Sequence, residues 1–246
     1  MKVAVLFSGG KDSCLALWYA IHQGWEVVTL ISMHPENRDS LMFHYPAIAF
    51  TKLQAELMDL PLIAIETSGE KDEELEDLSD CLRNMKELLG VETVVYGVVA
   101  SEFQKTRVDS ICDKIGLRSF TPLWLKDPRL LVRLQIEFGF EMLVTAVMAQ
   151  GFSESWLGRR LDLDCLQDII CLNQRYGVHI SGEGGEYETF VTYSPLFKSR
   201  IKILEVNREW DAESFHGILE IKKAEVDQPH NRSHPTNFMA ASCAFL

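Results

Sequence analysis

Lys2-Val3-Ala4-Val5-Leu6-Phe7-Ser8-Gly9-Gly10-Lys11-Asp12-Ser13, near the start of the chain, decides the reading of everything after it. Val3 to Phe7 is an unbroken apolar run of β-type residues, the pattern of a strand buried on both faces. It is too short, and meets charge too soon, to be a signal peptide. Ser8, Gly9 and Gly10 turn the chain, and from Asp12 the pattern becomes helical. A strand, a glycine turn and a helix in immediate succession are the opening of an α/β sheet.

The rhythm repeats. Helices are expected at about 12–23, 46–59, 72–89 and 102–115, between apolar strands at 26–33, 62–66 and 93–99. Gly24, Gly90 and Gly116 mark helix ends. Near-continuous apolar strands separated by amphipathic helices imply parallel strands covered on both faces, a doubly wound α/β sheet. Eight acids and one Lys between Glu66 and Asp80 read as an exposed helix start, where carboxylates suit the positive end of the dipole.

After Pro122 the rhythm weakens. A helix at 128–138, a strand at 142–148, a helix at 164–176, a Gly/Glu-rich loop and β-type runs at 201–206 and 218–226 suggest a smaller substrate region. The expected division is a nucleotide-binding domain over 1–120, a substrate region over 121–226 and a loosely ordered tail over 227–246. The tail's His230 and His234 have no partner ligands at metal spacing.

The 246 residues carry 36 acids against 24 bases, a net charge of −12, which argues against a protein that grips nucleic-acid backbone. The six cysteines form no C-x-x-C and no Cys/His cluster, and read as buried thiols of a reducing cytoplasm. The longest uncharged apolar run after the first strand, 142–149, is far below the roughly 20 residues that cross a bilayer, so no membrane association is expected. Homo-oligomerisation stays open.

Ser8 to Ser13 is an anion site by its chemistry. Two glycines let the backbone approach a ligand, and the helix amino end offers free N–H groups and a favourable dipole. The hydroxyls of Ser8 and Ser13 add donors, and Lys11 adds charge. Asp12, anomalous beside phosphate, suits a helix N-cap or a ligand for Mg²⁺ bridging the phosphates. The spacing excludes both G-x-x-x-x-G-K-[ST] and G-x-G-x-x-G.

This loop resembles the SGGxDS pyrophosphate-binding loop of the N-type ATP pyrophosphatases, which cleave ATP to AMP and pyrophosphate while adenylating an acceptor. The resemblance implies that the first and fourth strands lie side by side at the switch point where the ligand binds. Gly97, Ser101, Gln104 and Arg107 would then face ATP from the end of the fourth strand, Arg107 as a partner for phosphate or carboxylate. Ile31 and Met33 would receive adenine, although both could equally be plain core.

The string Gly182-Glu183-Gly184-Gly185-Glu186-Tyr187-Glu188-Thr189-Phe190 narrows the resemblance. With Met42-Phe43-His44, Gln104, Arg107-Val108, Pro122-Leu123-Trp124, Gly139-Phe140, Leu157-Gly158-Arg159 and Ser194-Pro195-Leu196-Phe197-Lys198, the chain is similar to the diphthine–ammonia ligase family, in its compact archaeal-type form. The start Met1-Lys2-Val3 lacks the nucleophilic Cys of a fused glutaminase, so any nitrogen is expected to come from free ammonia or a separate subunit. The resemblance implies amidation of diphthine on translation elongation factor 2, by way of an acyl adenylate, with AMP and pyrophosphate released. Lys11, Asp12, Glu186 and Glu188 would be catalytic. Glu183, Gly184, Gly185, Glu186, Tyr187, Glu188, Thr189 and Trp124 would bind substrate, since carboxylates and aromatic faces attract a trimethylammonium group and ammonium. A tRNA-modifying pyrophosphatase and a non-catalytic ATP- or AMP-binding protein are the alternatives.

Overall fold

The computed structural model describes residues 1–35, 47–68 and 71–227. Strands β1 (Lys2–Leu6), β2 (Glu26–Pro35), β3 (Leu62–Thr67), β4 (Thr93–Val95) and β5 (Arg118–Phe120) pair in parallel in the order β3-β2-β1-β4-β5. Side chains alternate across a strand, and β1 shows it directly. Val3 and Val5 pack on one face with Leu15 and Leu17 of α1 (Lys11–His22). Ala4 packs on the other with Leu78 and Leu82 of α3 (Lys71–Leu89) and with Val108 and Ile111 of α4 (Glu102–Ile115). Each buried aliphatic side chain contributes roughly 1.5–3 kcal/mol. The sheet is therefore doubly wound, as the strand rhythm implied.

The strand order reverses between β1 and β4, so the carboxyl ends of these two strands define the switch-point crevice. β4 stops at Val95, short of the expected 99, because the chain must clear the start of α1. A Cβ at Gly97 would lie 2.5 Å from the backbone carbon and oxygen of Asp12. The expected helix over 46–59 resolves into a 3-10 turn (Ile48–Phe50) and the short α2 (Thr51–Leu57). Gly116 ends α4 in the left-handed region at φ 72°.

The second half contains α5 (Pro128–Glu137), α6 (Leu163–Tyr176) and a four-stranded antiparallel sheet. Its strands are β6 (Glu141–Met148), β7 (Tyr187–Tyr193), β8 (Ile201–Asp211) and β9 (His216–Val226), in the order β7-β6-β9-β8. Two of the strands are departures from the sequence reading. β5 was not expected at all, and β7 occupies much of what read as loop. One hydrophobic cluster joins the halves, with Val3, Val5, Leu15 and Leu17 packed in the same core as Met142, Val144, Tyr187 and Phe190.

No described helix is long and apolar enough to cross a membrane. The five described cysteines are all free. Met42-Phe43-His44, the tail histidines and nearly all of the expected tail lie outside the described residues.

Candidate active site

A cleft of about 960 Å³ opens at the switch point. Its walls include Ser8, Gly10, Lys11, Asp12 and Ser13 from the glycine loop, and Gly97, Ser101 and Gln104 beyond β4. Glu183, Gly184, Gly185, Tyr187, Glu188 and Thr189 close it from the second half. Ile31 and Met33, buried at 1% and 3% exposure, floor an apolar recess. Residues far apart in sequence thus converge on one space.

The glycine loop is held by its own hydroxyls. Ser13 Oγ donates to the Gly10 carbonyl at 3.0 Å and accepts from Ser8 Oγ at 3.2 Å. Gly9, at φ 78°, is the position where only glycine fits, because a Cβ there would meet Gln54 Oε1 at 2.3 Å. The N-cap of α1 is Gly10, which has no side chain to offer the helix; of the first-turn amides, that of Lys11 goes to Thr189 Oγ1. Asp12 is therefore in the first helical turn and is not the cap, which corrects one of its two expected roles. A helix amino end that opens on a cleft, with its N-cap residue contributing no side chain, is a ready anion site.

β7 backs this loop. The Val191 amide donates to the Gly9 carbonyl at 3.0 Å, and the Lys11 amide donates to Thr189 Oγ1 at 3.2 Å. The Gly/Glu-rich string consequently leads straight into the strand that braces the glycine loop. Two glutamines that attracted no notice in the sequence complete the brace. Gln54 donates from α2 to the carbonyls of Gly9 and Val191 at 3.0 and 2.7 Å. Gln135 donates from α5 to the Lys11 carbonyl at 3.2 Å and to Asp12 Oδ1 at 3.1 Å. Helical spacing held the clue: Gln135 is three and four residues from the buried Val132 and Leu131, and Gln54 is three from the buried Thr51.

Lys11 is 4% exposed, and its ammonium faces inward. Nζ donates to Asp12 Oδ2 at 2.5 Å and to the Ser181 carbonyl at 2.6 Å, and lies 5.3 Å from the centre of the Tyr187 ring. Burial opposes the charge, but Asp12 and the neighbouring Tyr187 and Glu183 outweigh it and raise the Lys11 pKa. Lys11 stays protonated, with much of its charge answered by Asp12. Tyr187 is buried and donates its hydroxyl to the Ile180 carbonyl at 2.7 Å, with the Lys11 ammonium over its ring.

The three glutamates of the string part company. Glu183 Oε1 accepts the consecutive amides of Val99, Ala100 and Ser101 at 2.9, 3.0 and 3.0 Å, clamping the second half onto the loop that starts α4. Burial and the Asp12 charge raise its pKa against those three bonds. Glu186 turns back on its own loop, accepting the His179 and Gly184 amides at 2.8 and 2.9 Å. It is not among the residues lining the cleft. Glu188 does line it, its backbone paired with Ala146 of β6 and its carboxylate making no hydrogen bond to the described residues. Burial pushes Glu188 up to about 8; Lys11 opposes the shift, while Asp12, Glu183 and Glu186 add to it.

Two expected contacts lie elsewhere. Arg107 stacks on Phe103 at 3.4 Å and donates to its carbonyl at 2.9 Å, beside a separate depression between α3 and α4. Trp124 packs against the α3–α4 side of the sheet, with Lys105 Nζ 5.4 Å from its ring centre. Neither is among the residues lining the cleft. Sequence reasoning missed Met148, Glu209, His216 and Ile218, which β6 and the β8–β9 hairpin bring to the cleft; no motif marks them.

The glycine loop and the Glu183–Thr189 string belong to two adjoining family models. The diphthamide synthase N-terminal domain matches residues 1–119, and the diphthamide synthase C-terminal domain matches residues 127–226. The chain belongs to the diphthamide synthase family. Among curated relatives, the diphthine–ammonia ligase of Homo sapiens is 35% identical over 82% of this chain and 82% of its own length. That of Rattus norvegicus is 33% identical over 82% and 83%. The Schizosaccharomyces pombe diphthine–ammonia ligase is 34% identical over 93% of this chain, which spans only 40% of that longer relative. A solved structure described as a predicted subunit of a tRNA methyltransferase from Methanocaldococcus jannaschii aligns with a TM-score of 0.44 at 17% identity, over 79% of this chain and 98% of its own.

Proposed function

We propose that the chain amidates diphthine on translation elongation factor 2 with ammonium and ATP, releasing AMP and pyrophosphate, in the cytoplasm. One observation carries this reading: the amino end of α1 and the carboxylates of Glu183 and Glu188 line one cleft. An anion site for a nucleotide and an acidic wall for cationic co-substrates suit adenylation followed by amidation.

In the first step the diphthine carboxylate attacks the α-phosphorus, and the bond to pyrophosphate breaks. The open backbone amides of the loop and of the first turn of α1 receive the phosphates, while Ile31 and Met33 supply the apolar recess for adenine. In the second step the ammonia lone pair attacks the acyl carbon and AMP leaves. Ammonium must first lose a proton. Glu188, lifted to about 8, is the cleft carboxylate suited to take it. Asp12 reaches the cleft but already meets Lys11 and Gln135. No cluster of three or more metal-binding side chains exists among the described residues. Mg²⁺ would come with the nucleotide and neutralise phosphate charge, with Asp12 as its protein ligand through the carboxylate lone pairs that Lys11 and Gln135 leave free.

The test supplies ATP, ammonium and diphthine-bearing elongation factor and assays AMP and the amide. AMP with diphthamide is expected; ADP and phosphate as products would overturn the reading. Lys11→Ala and Asp12→Ala should each abolish AMP formation while a melting transition persists, and substantial residual turnover would remove the loop from the mechanism.

A further inference from the structure

Gln135 is fully buried on α5, outside both motifs that define the site. Its amide nitrogen reaches the Lys11 carbonyl and Asp12 Oδ1, while its own carbonyl oxygen is buried with no partner. The orientation is set by chemistry. Turning the amide over would put its oxygen against two acceptors, so the nitrogen must face the loop. A buried acceptor left unpaired is a cost that an apolar residue would avoid. What the position retains is the donor.

Asp12 Oδ2 is taken by the Lys11 ammonium and Oδ1 by Gln135, so the two contacts fix the carboxylate plane from opposite sides. Among the described residues, Gln135 is the neutral donor that the second half of the chain gives this carboxylate. A neutral donor orients Asp12 without cancelling its charge, as a second lysine would.

We propose that Gln135 is a positioning residue that holds the Asp12 carboxylate in register with the phosphate loop. The inference rests on the ATP-dependent reading of the site. Without the donor, Asp12 keeps its ion pair with Lys11 but can rotate about it, and a small misplacement at a reacting centre costs rate more than binding.

Two variants test this in the full chain. Gln135→Met keeps roughly the volume and removes the donor; Gln135→Glu keeps the shape and sets a carboxylate against Asp12. Both are expected to lower kcat for AMP formation at least tenfold, with KM for ammonium within about twofold of wild type. Calorimetric ATP affinity should show Gln135→Met and Asp12→Asn as non-additive, the double variant binding like Asp12→Asn alone. A kcat within twofold of wild type in either folded variant, or effects on ATP affinity that simply add, would overturn the proposal. Failure of Gln135→Met to fold would leave Gln135→Glu to decide it. If the wild-type chain forms no AMP, the functional reading has failed, and the affinity cycle still judges the Gln135–Asp12 coupling.

Discussion

Glu188 is an acid whose raised pKa gives two measurable signatures of opposite sign. Held at about 8, it is a neutral acid at pH 6 and a base above pH 8, so amide formation should rise with pH through about 8. Glu188→Gln should flatten that limb and lower kcat by about 10². In stability the direction reverses. The folded state binds this proton more tightly than the unfolded chain, so the stabilisation is complete below the ordinary glutamate pKa of 4.5 and is lost as pH rises through about 8. The melting-temperature gain of Glu188→Gln over wild type should be larger at pH 9 than at pH 5; equal gains would show that Glu188 titrates normally. The sequence announced the carboxylates of 183–188 but not their division of labour. Side-chain identity is local, whereas the amides that claim Glu183 and Glu186 come from folding. Gln54 and Gln135 went unread for a related reason, since a helical glutamine reads as surface until the buried face of its helix is counted.

Among the elements, the loop that begins α4 depends on a carboxylate delivered by the segment before β7. Glu183→Ala would leave three amides at 99–101 without their acceptor, costing about 1–3 kcal/mol. Glu183→Gln keeps an acceptor and should retain most of that stability. Hydrogen exchange at these amides should accelerate in the alanine variant alone, and unchanged protection would refute the clamp. The parallel strands were legible because their apolar runs are continuous. β5 escaped notice because Arg118-Ser119-Phe120 is too short and polar to show a period, and exists as a strand through pairing with β4. β7 was obscured by the glycines before it and by Glu188 and Thr189 within it. Arg107 stands on a correctly read helix, but a periodicity of 3.6 does not say which side meets the cleft, and Trp124 lies in a turn between β5 and α5 where the sequence reading places no element.

For the molecule as a whole, the shared core of Val3, Leu15, Met142, Val144 and Phe190 sets how it unfolds. The full chain should melt in one transition, and residues 1–120 alone should show no cooperative melting; a fragment with its own sharp transition would prove the first half autonomous. On the proposed function, the charge of −12 would suit cationic co-substrates, and the anionic nucleotide would be received by one local helix terminus. The bracing of that terminus by β7 has a consequence for protein engineering. Gly9 and Lys11 are anchored to Val191 and Thr189, on a strand far along the chain and in its second half. Transplanting the six residues Ser8 to Ser13 into another α/β scaffold would carry the motif without its shape, so a functional graft would have to bring 189–191 along.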